Sequence, residues 1–288
     1  MIGNTAATPG RYTIKRKIYG YSNMSYSKSF LAIACLAMPL LSPAIIYRHD
    51  VPLTAFTTLG RDQSFDCIGM IYNTSSDTDR ITGSCVLISD QYVLTAWHVF
   101  KYGKDFDSRQ YKMVFGGQRY DIADYEPYAQ QGHDIVLVKL AGKVKNISFA
   151  VLDTTQSTPG DTLTMVGYGY QRPSDMLDHN VGIGIKTAAH NITDSLGGNR
   201  VNDVPTKLYA DFDGPVPGAG VAVPLEGMIN GGDSGGGLFV QRNGQYRLIG
   251  IASGSHVTLN SQRGFDGSVS YWAYTPAYYS WIKQSLRK

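Results

Sequence analysis

The sequence has few cysteines, little charge and no apolar run long enough to cross a membrane. Three cysteines occur among 288 residues, at Cys35, Cys67 and Cys85, too few for a disulfide framework and without the paired spacing of a zinc site. The six histidines form no His-Glu-x-x-His pair, so neither a metal nor a cofactor is expected. Charged residues make up only 17% of the chain. Residues 1 to 44 hold Arg11, Lys15, Arg16, Lys17 and Lys28 and no acid, and the other 244 residues carry a net charge of about −2. The formal charge of +3 therefore belongs to the leading segment, and no basic face is left to bind nucleic acid. The longest apolar run, Phe30 to Leu41, falls short of the roughly 20 residues that span a bilayer.

That run fits a secretory signal better than an anchor. Met24 to Ser29 form a short n-region with Lys28, the apolar run follows, and Ser42-Pro43-Ala44 is a small-x-small cleavage site. The expectation is cleavage after Ala44 and an extracellular or periplasmic protein without a stable membrane anchor, residues 1–23 being an extension ahead of the signal. Cys35 would leave with the signal. Cys67 and Cys85 would stay, in adjacent strand-like runs, where one bridge and two buried free thiols fit equally well.

Apolar residues and turn formers are plentiful: 43% of the chain is apolar, with 32 Gly and 20 Tyr. After residue 44 the apolar residues fall into runs of four to eight separated by Gly, Asn, Asp and Ser. The runs include Cys67 to Tyr72, Cys85 to Ile88, Tyr92 to Thr95, Tyr111 to Phe115, Ile135 to Leu140, Thr162 to Val166, Val181 to Ile185, Leu208 to Phe212, Gly237 to Val240 and Tyr246 to Ala252. This is the pattern of an all-β sandwich or barrel. One segment has helical spacing, Tyr278, Trp281, Ile282 and Leu286 at the end of the chain. The polar stretch 152–161, with Pro159-Gly160, reads as a linker between halves at 45–151 and 162–288. Asp213 to Gly220 reads as a surface loop. Asn73, Asn146 and Asn191 each open an Asn-x-Ser/Thr triplet that a suitable host could glycosylate.

Three segments carry possible chemistry. Val93 to Val99 places His98 at the end of an apolar strand, and His133 to Leu140 places Asp134 at the mouth of another. Asn230 to Gly237 sets Ser234 among glycines. Each alone has a plain reading as a core histidine, a strand-end acid or a turn. Together they supply what an activated serine needs: a hydroxyl on a tight turn, a base to take its proton, and a carboxylate to hold the base in the right tautomer. The turn can also aim the N–H groups of Gly232 and Ser234 at one point, as an oxyanion hole requires.

Thr95-Ala96-Trp97-His98, His133-Asp134-Ile135-Val136-Leu137-Val138-Lys139-Leu140 and Gly232-Asp233-Ser234-Gly235-Gly236 resemble the three signature segments of the chymotrypsin/trypsin family of serine proteases. Val166-Gly167-Tyr168-Gly169 and Gly250-Ile251-Ala252-Ser253 add to the likeness, which covers roughly residues 48 to 286. Arg48-His49-Asp50 and Leu225-Glu226-Gly227 are most similar to a bacterial branch of that family. The resemblance implies two six-stranded antiparallel β-barrels with a C-terminal helix, and an endopeptidase acting on protein or peptide substrates; with the signal-like segment, a secreted monomer is expected. It implies Ser234 as nucleophile, His98 as base and then acid, and Asp134 as the group that orients His98. Gly232 and Ser234 would form the oxyanion hole, and Ser253 would support Asp134 and line the cleft. Met228 would stand at the base of the primary pocket, with Ser255 and Ser270 on its walls. A neutral residue at 228 predicts cleavage after neutral or apolar residues. Asp233 would pair with a newly exposed Ile45 ammonium, with an arginine such as Arg48, or with an N-terminus made by another activating cut. Trp97 departs from the family's small residue before the histidine, and its ring needs space of its own. Two other functions share some of these features: a protease fold retained only for binding, and a serine esterase with a Gly-x-Ser-x-Gly elbow, which would need its Asp and His after the serine.

Overall fold

The computed structural model describes residues 45–75, 79–100, 106–176, 180, 182–216, 218, 220, 222–259 and 265–287. The signal and extension expected over 1–44 lie outside them. In chain order come β1 (Ile46–Tyr47), helix α1 (Leu53–Gly60), β2 (Ile68–Asn73), β3 (Arg80–Leu87), β4 (Tyr92–Thr95), β5 (Tyr111–Phe115), β6 (Gln118–Pro127) and β7 (Val136–Leu140). The second half contributes β8 (Thr162–Gly167), β9 (Arg172–Pro173), β10 (Thr187–Ile192), β11 (Ser195–Val201), β12 (Val204–Asp211), β13 (Gly227–Met228), β14 (Gly237–Arg242), β15 (Gln245–His256), β16 (Val269–Tyr274) and helix α2 (Thr275–Ser285).

Strands β2 to β7 close into a barrel in the order β2-β3-β4-β7-β6-β5, every pair antiparallel. Closure leaves no free edge. Its apolar side chains, among them Ile68, Val86, Leu94, Phe115 and Val138, lie in one cluster that continues into Phe239 and Ile251 of the second half and Tyr278 and Ile282 of α2. Each such side chain contributes about 1.5–3 kcal/mol by leaving water. The chymotrypsin-like architecture is therefore present, with one difference. The second half is a seven-stranded sheet in the order β10-β8-β14-β15-β16-β12-β11. Side chains, not a strand ladder, draw its β10 end toward β12: the Asn191 amide donates to the carbonyls of Asp211 at 2.7 Å and Gly227 at 3.0 Å. Asn191 is thereby buried and used, which removes it as a glycosylation site.

Three local departures from the sequence reading have plain causes. Helix α1 packs Phe56 into the core, but its three threonines and a Pro52 cap without a side-chain bond give little helical signal. Gly182 to Ile185 form no strand, because Gly182 and Gly184 adopt φ of 63° and 79°. Strand β6 is mostly exposed and polar, so no apolar run announces it. Stretch 152–161 is strapped to the second sheet: Arg242 of β14 reaches Asp153 at 3.2 Å and Asp161 at 3.0 Å.

Candidate active site

His98 lies in a single 3-10 turn, Trp97–Phe100, directly after β4. Asp134 lies two residues before β7. Because β4 and β7 are hydrogen-bonded neighbours with Thr95 opposite Val136, the sheet register itself brings the two together. The Asp134 carboxylate accepts from the His98 backbone N–H at 2.8 Å and meets ring Nδ1 at 2.7 Å. Facing a carboxylate, Nδ1 is the protonated ring nitrogen, so Nε2 is the acceptor nitrogen. Nε2 stands 2.8 Å from Ser234 Oγ.

The Ser253 hydroxyl, on β15, donates to the same Asp134 oxygen at 2.5 Å. Burial alone would raise the Asp134 pKa, but the hydrogen bond and charge of His98, with the bonds from Ser253 and the His98 N–H, outweigh it and hold the carboxyl below its ordinary value. The anion that steadies an imidazolium is thus maintained.

Ser234 sits in the turn between β13 and β14. The turn is shaped by Gly232 and Gly235, at φ of 88° and 83°. Any side chain at Gly235 would also strike Thr95 Oγ1 and the Ser84 carbonyl, so that position requires glycine twice over. The turn is pinned to the first barrel. Ser84 N–H donates to the Ser234 carbonyl at 2.8 Å, Ser84 Oγ donates to the Gly232 carbonyl at 3.0 Å, and Thr95 Oγ1 donates to the Ser84 carbonyl at 2.8 Å. With the Gly232 carbonyl held this way, neither the Gly232 nor the Ser234 N–H has a backbone partner among the described residues. Nothing in the sequence marks Ser84, an ordinary small residue of β3, and Thr95 enters there only as part of the segment that leads to His98.

Behind the turn, Asp233 is 2% exposed. Its carboxylate accepts N–H groups from Asn230 and Gly169, each at 3.2 Å, and from Ile45. Burial, only partly offset by these bonds, pushes its pKa up to about 7. Ile45 is therefore the neighbour of Asp233. Arg48 is not: its guanidinium holds Asp50 through two 2.7 Å bonds and the Val223 carbonyl at 3.1 Å. The two segments singled out together, Arg48-His49-Asp50 and Leu225-Glu226-Gly227, do meet, through Tyr47 opposite Gly227 and Arg48 N–H on the Glu226 carbonyl at 3.2 Å.

Two residues expected to line a pocket are withdrawn from it. Met228 pairs with Ile46 in the β1–β13 ladder and is wholly buried among Ile46, Phe212 and Phe265. Ser270 is also wholly buried and accepts the Ile229 N–H at 3.1 Å. Its side chain turns inward because residues alternate faces along β16. Ser253 and Ser255 remain half exposed on β15. Cys67 and Cys85 are free, buried thiols. Cys85 stands opposite Gly69, which leaves Cys67 on the diagonal, too far for the short Cβ approach of a disulfide. Trp97 does find its space, stacked on Tyr125 with ring centroids 5.8 Å apart and edge-on to Phe106 at 5.6 Å. No cluster of metal-binding side chains occurs among the described residues, and no described helix is long and apolar enough to cross a membrane.

Antiparallel barrel, second sheet, terminal helix and a serine, histidine and aspartate joined across them define a serine protease-like protein. The family model described as Trypsin matches residues 57–282, and the chain belongs to that family. Curated proteins gave no match.

Proposed function

We propose that the chain is an exported serine endopeptidase that cleaves protein or peptide substrates through an acyl-enzyme. The observation that carries this reading is the unbroken hydrogen-bond line from Ser234 Oγ through His98 to Asp134, at 2.8 and 2.7 Å. His98 Nε2 takes the Ser234 proton as Oγ attacks the scissile carbonyl carbon. Asp134 stabilises the resulting imidazolium without taking the proton itself. Negative charge developing on the carbonyl oxygen is met by the N–H groups of Gly232 and Ser234. Collapse of the tetrahedral species breaks the C–N bond, and His98 returns its proton to the leaving amine. Water, deprotonated by His98, then cleaves the Ser234 ester and releases the acid.

Ser253 to His256 support the reading from the substrate side. Past Ala252 this stretch of β15 pairs with β16 on one side and has no strand partner on the other among the described residues. An extended peptide can add there as a strand beside Ser234.

Activation follows from the buried Asp233. Cleavage after Ala44 would turn the Ile45 N–H that Asp233 accepts into an ammonium, which replaces a costly buried charge with an ion pair. Export itself would then complete the enzyme.

The test is hydrolysis of a mixed peptide library by the exported protein, with the new N-termini and the enzyme's own N-terminus sequenced. Cleavage that Ser234→Ala abolishes, by an enzyme beginning at Ile45, is the expected result. Peptide cleavage surviving in Ser234→Ala would overturn the nucleophile, and an active enzyme starting well away from Ile45 would overturn the activation step.

A further inference from the structure

Lys207, on β12, is half buried and has no carboxylate partner among the described residues. Its ammonium lies 4.7 Å from the centre of the Tyr271 ring, an arrangement that favours a cation, and it makes no hydrogen bond among the described residues. Tyr271 on β16 stands between Tyr209 at 6.2 Å and His256 at 5.2 Å, forming an aromatic shelf with a cation on it.

The shelf adjoins the proposed site. Tyr271 is in register opposite Gly254, and a Cβ on Gly254 would collide with the tyrosine's phenol oxygen. The ring therefore occupies the room a side chain at 254 would take, next to Ser253 and its bond to Asp134. Charge is felt in both directions. The Tyr271 pKa is raised by burial and then by Asp134, and that of His133, the residue before Asp134, is lowered by burial and then by Lys207. A peptide strand added along the free edge of Ser253 to His256 would put alternate side chains on one face. Side chains directed over Gly254 would reach the shelf.

We propose that Lys207, laid across Tyr271, selects an acidic side chain two to four residues before the cleaved bond. The selection rests on the endopeptidase reading above and adds a charge preference to it. A partly desolvated ammonium without a protein counter-ion gains from a substrate carboxylate and loses from a substrate lysine, so the preference is set by attraction and repulsion together.

The experiment compares kcat/KM of the exported enzyme on peptide sets differing only in Glu, Gln or Lys at each of those three positions. For the wild type, Glu over Gln at one of them is expected to be favoured about tenfold at low salt, with the ratio shrinking as salt is raised. Lys207→Met keeps the alkyl stem on Tyr271 and is expected to bring the ratio to about one, and Lys207→Glu to reverse it toward Lys. Because only ratios are read, a general loss of activity in a variant cancels. A wild-type ratio near one at all three positions, or a Glu preference unchanged in Lys207→Glu, overturns the proposal. Failure of the wild type to cleave any peptide, with no covalent adduct of a fluorophosphonate on Ser234, overturns the endopeptidase reading and the selection with it.

Discussion

Two carboxylates flank the same serine, and their surroundings push them in opposite directions. Asp134, behind His98, meets a ring N–H, a backbone N–H and the Ser253 hydroxyl, and its pKa is held low. Asp233, behind Ser234, is buried more completely and meets only neutral backbone N–H groups, and its pKa rises to about 7. The difference lies in the partners, since both accept several hydrogen bonds. Only Asp134 has a partner that can carry positive charge. The first site is electrostatically complete in the uncut chain, and the second lacks one cation, which a new N-terminus at Ile45 would supply.

The largest expected effect lies on the complete side. Asp134→Asn should lower kcat by about 10⁴-fold, because an amide can turn its NH₂ toward Nδ1 and select the wrong tautomer, while the melting temperature changes by only a few degrees. Steady-state hydrolysis and thermal melts read the two quantities separately; a loss under tenfold would show that the carboxylate does not orient His98.

The incomplete side should show itself through pH. In the uncut chain the folded Asp233 has a pKa of about 7, above an ordinary aspartate's value of about 3.9. The folded state thus holds an extra proton between those values, and the stability this contributes is full at low pH and lost as pH rises through 7. A chain that keeps the Ala44–Ile45 bond should therefore lose roughly 5–10 °C of Tm from pH 5 to pH 8 relative to its Asp233→Asn variant. The chain beginning at Ile45 should show no such loss, since the ammonium favours the carboxylate. Equal pH dependence of the two forms would dissolve the contrast between the two carboxylates.

Ser253→Ala sharpens the comparison from the other direction. It removes one of three donors to Asp134, and His98 still supplies the other two, so kcat/KM should fall about three- to tenfold. Peptide kinetics that show no change would make Ser253 a cleft residue only. The smallest effect concerns the thiols. Burial raises both Cys67 and Cys85, Cys67 up to about 12, and only thiolates react readily. The native protein should take up no iodoacetamide at pH 8 and the unfolded protein two equivalents of residues 67 and 85, as read by mass.

Much of the first barrel was legible because its strands are short, apolar and bounded by turn residues: β4 and β5 match their expected runs residue for residue. The trio of His98, Asp134 and Ser234 was legible because the first two stand at strand ends against apolar runs and the third stands in a glycine-rich turn. What stayed hidden depends on contacts distant in sequence. Ser84 matters through bonds to residues 148 and 150 positions away, and Met228 is buried because β1 returns to pair with β13. Lys207 looks like a surface charge until the β12–β16 register brings Tyr271 beside it.

The central claim is that Ser234 is a nucleophile activated by His98. The direct measurement is reaction of the exported protein with a fluorophosphonate, followed by peptide mapping. One adduct per chain, on Ser234, absent in Ser234→Ala and slowed at least a thousandfold in His98→Ala, is the predicted result. No adduct on the wild type, or one that forms as fast without His98, would contradict it.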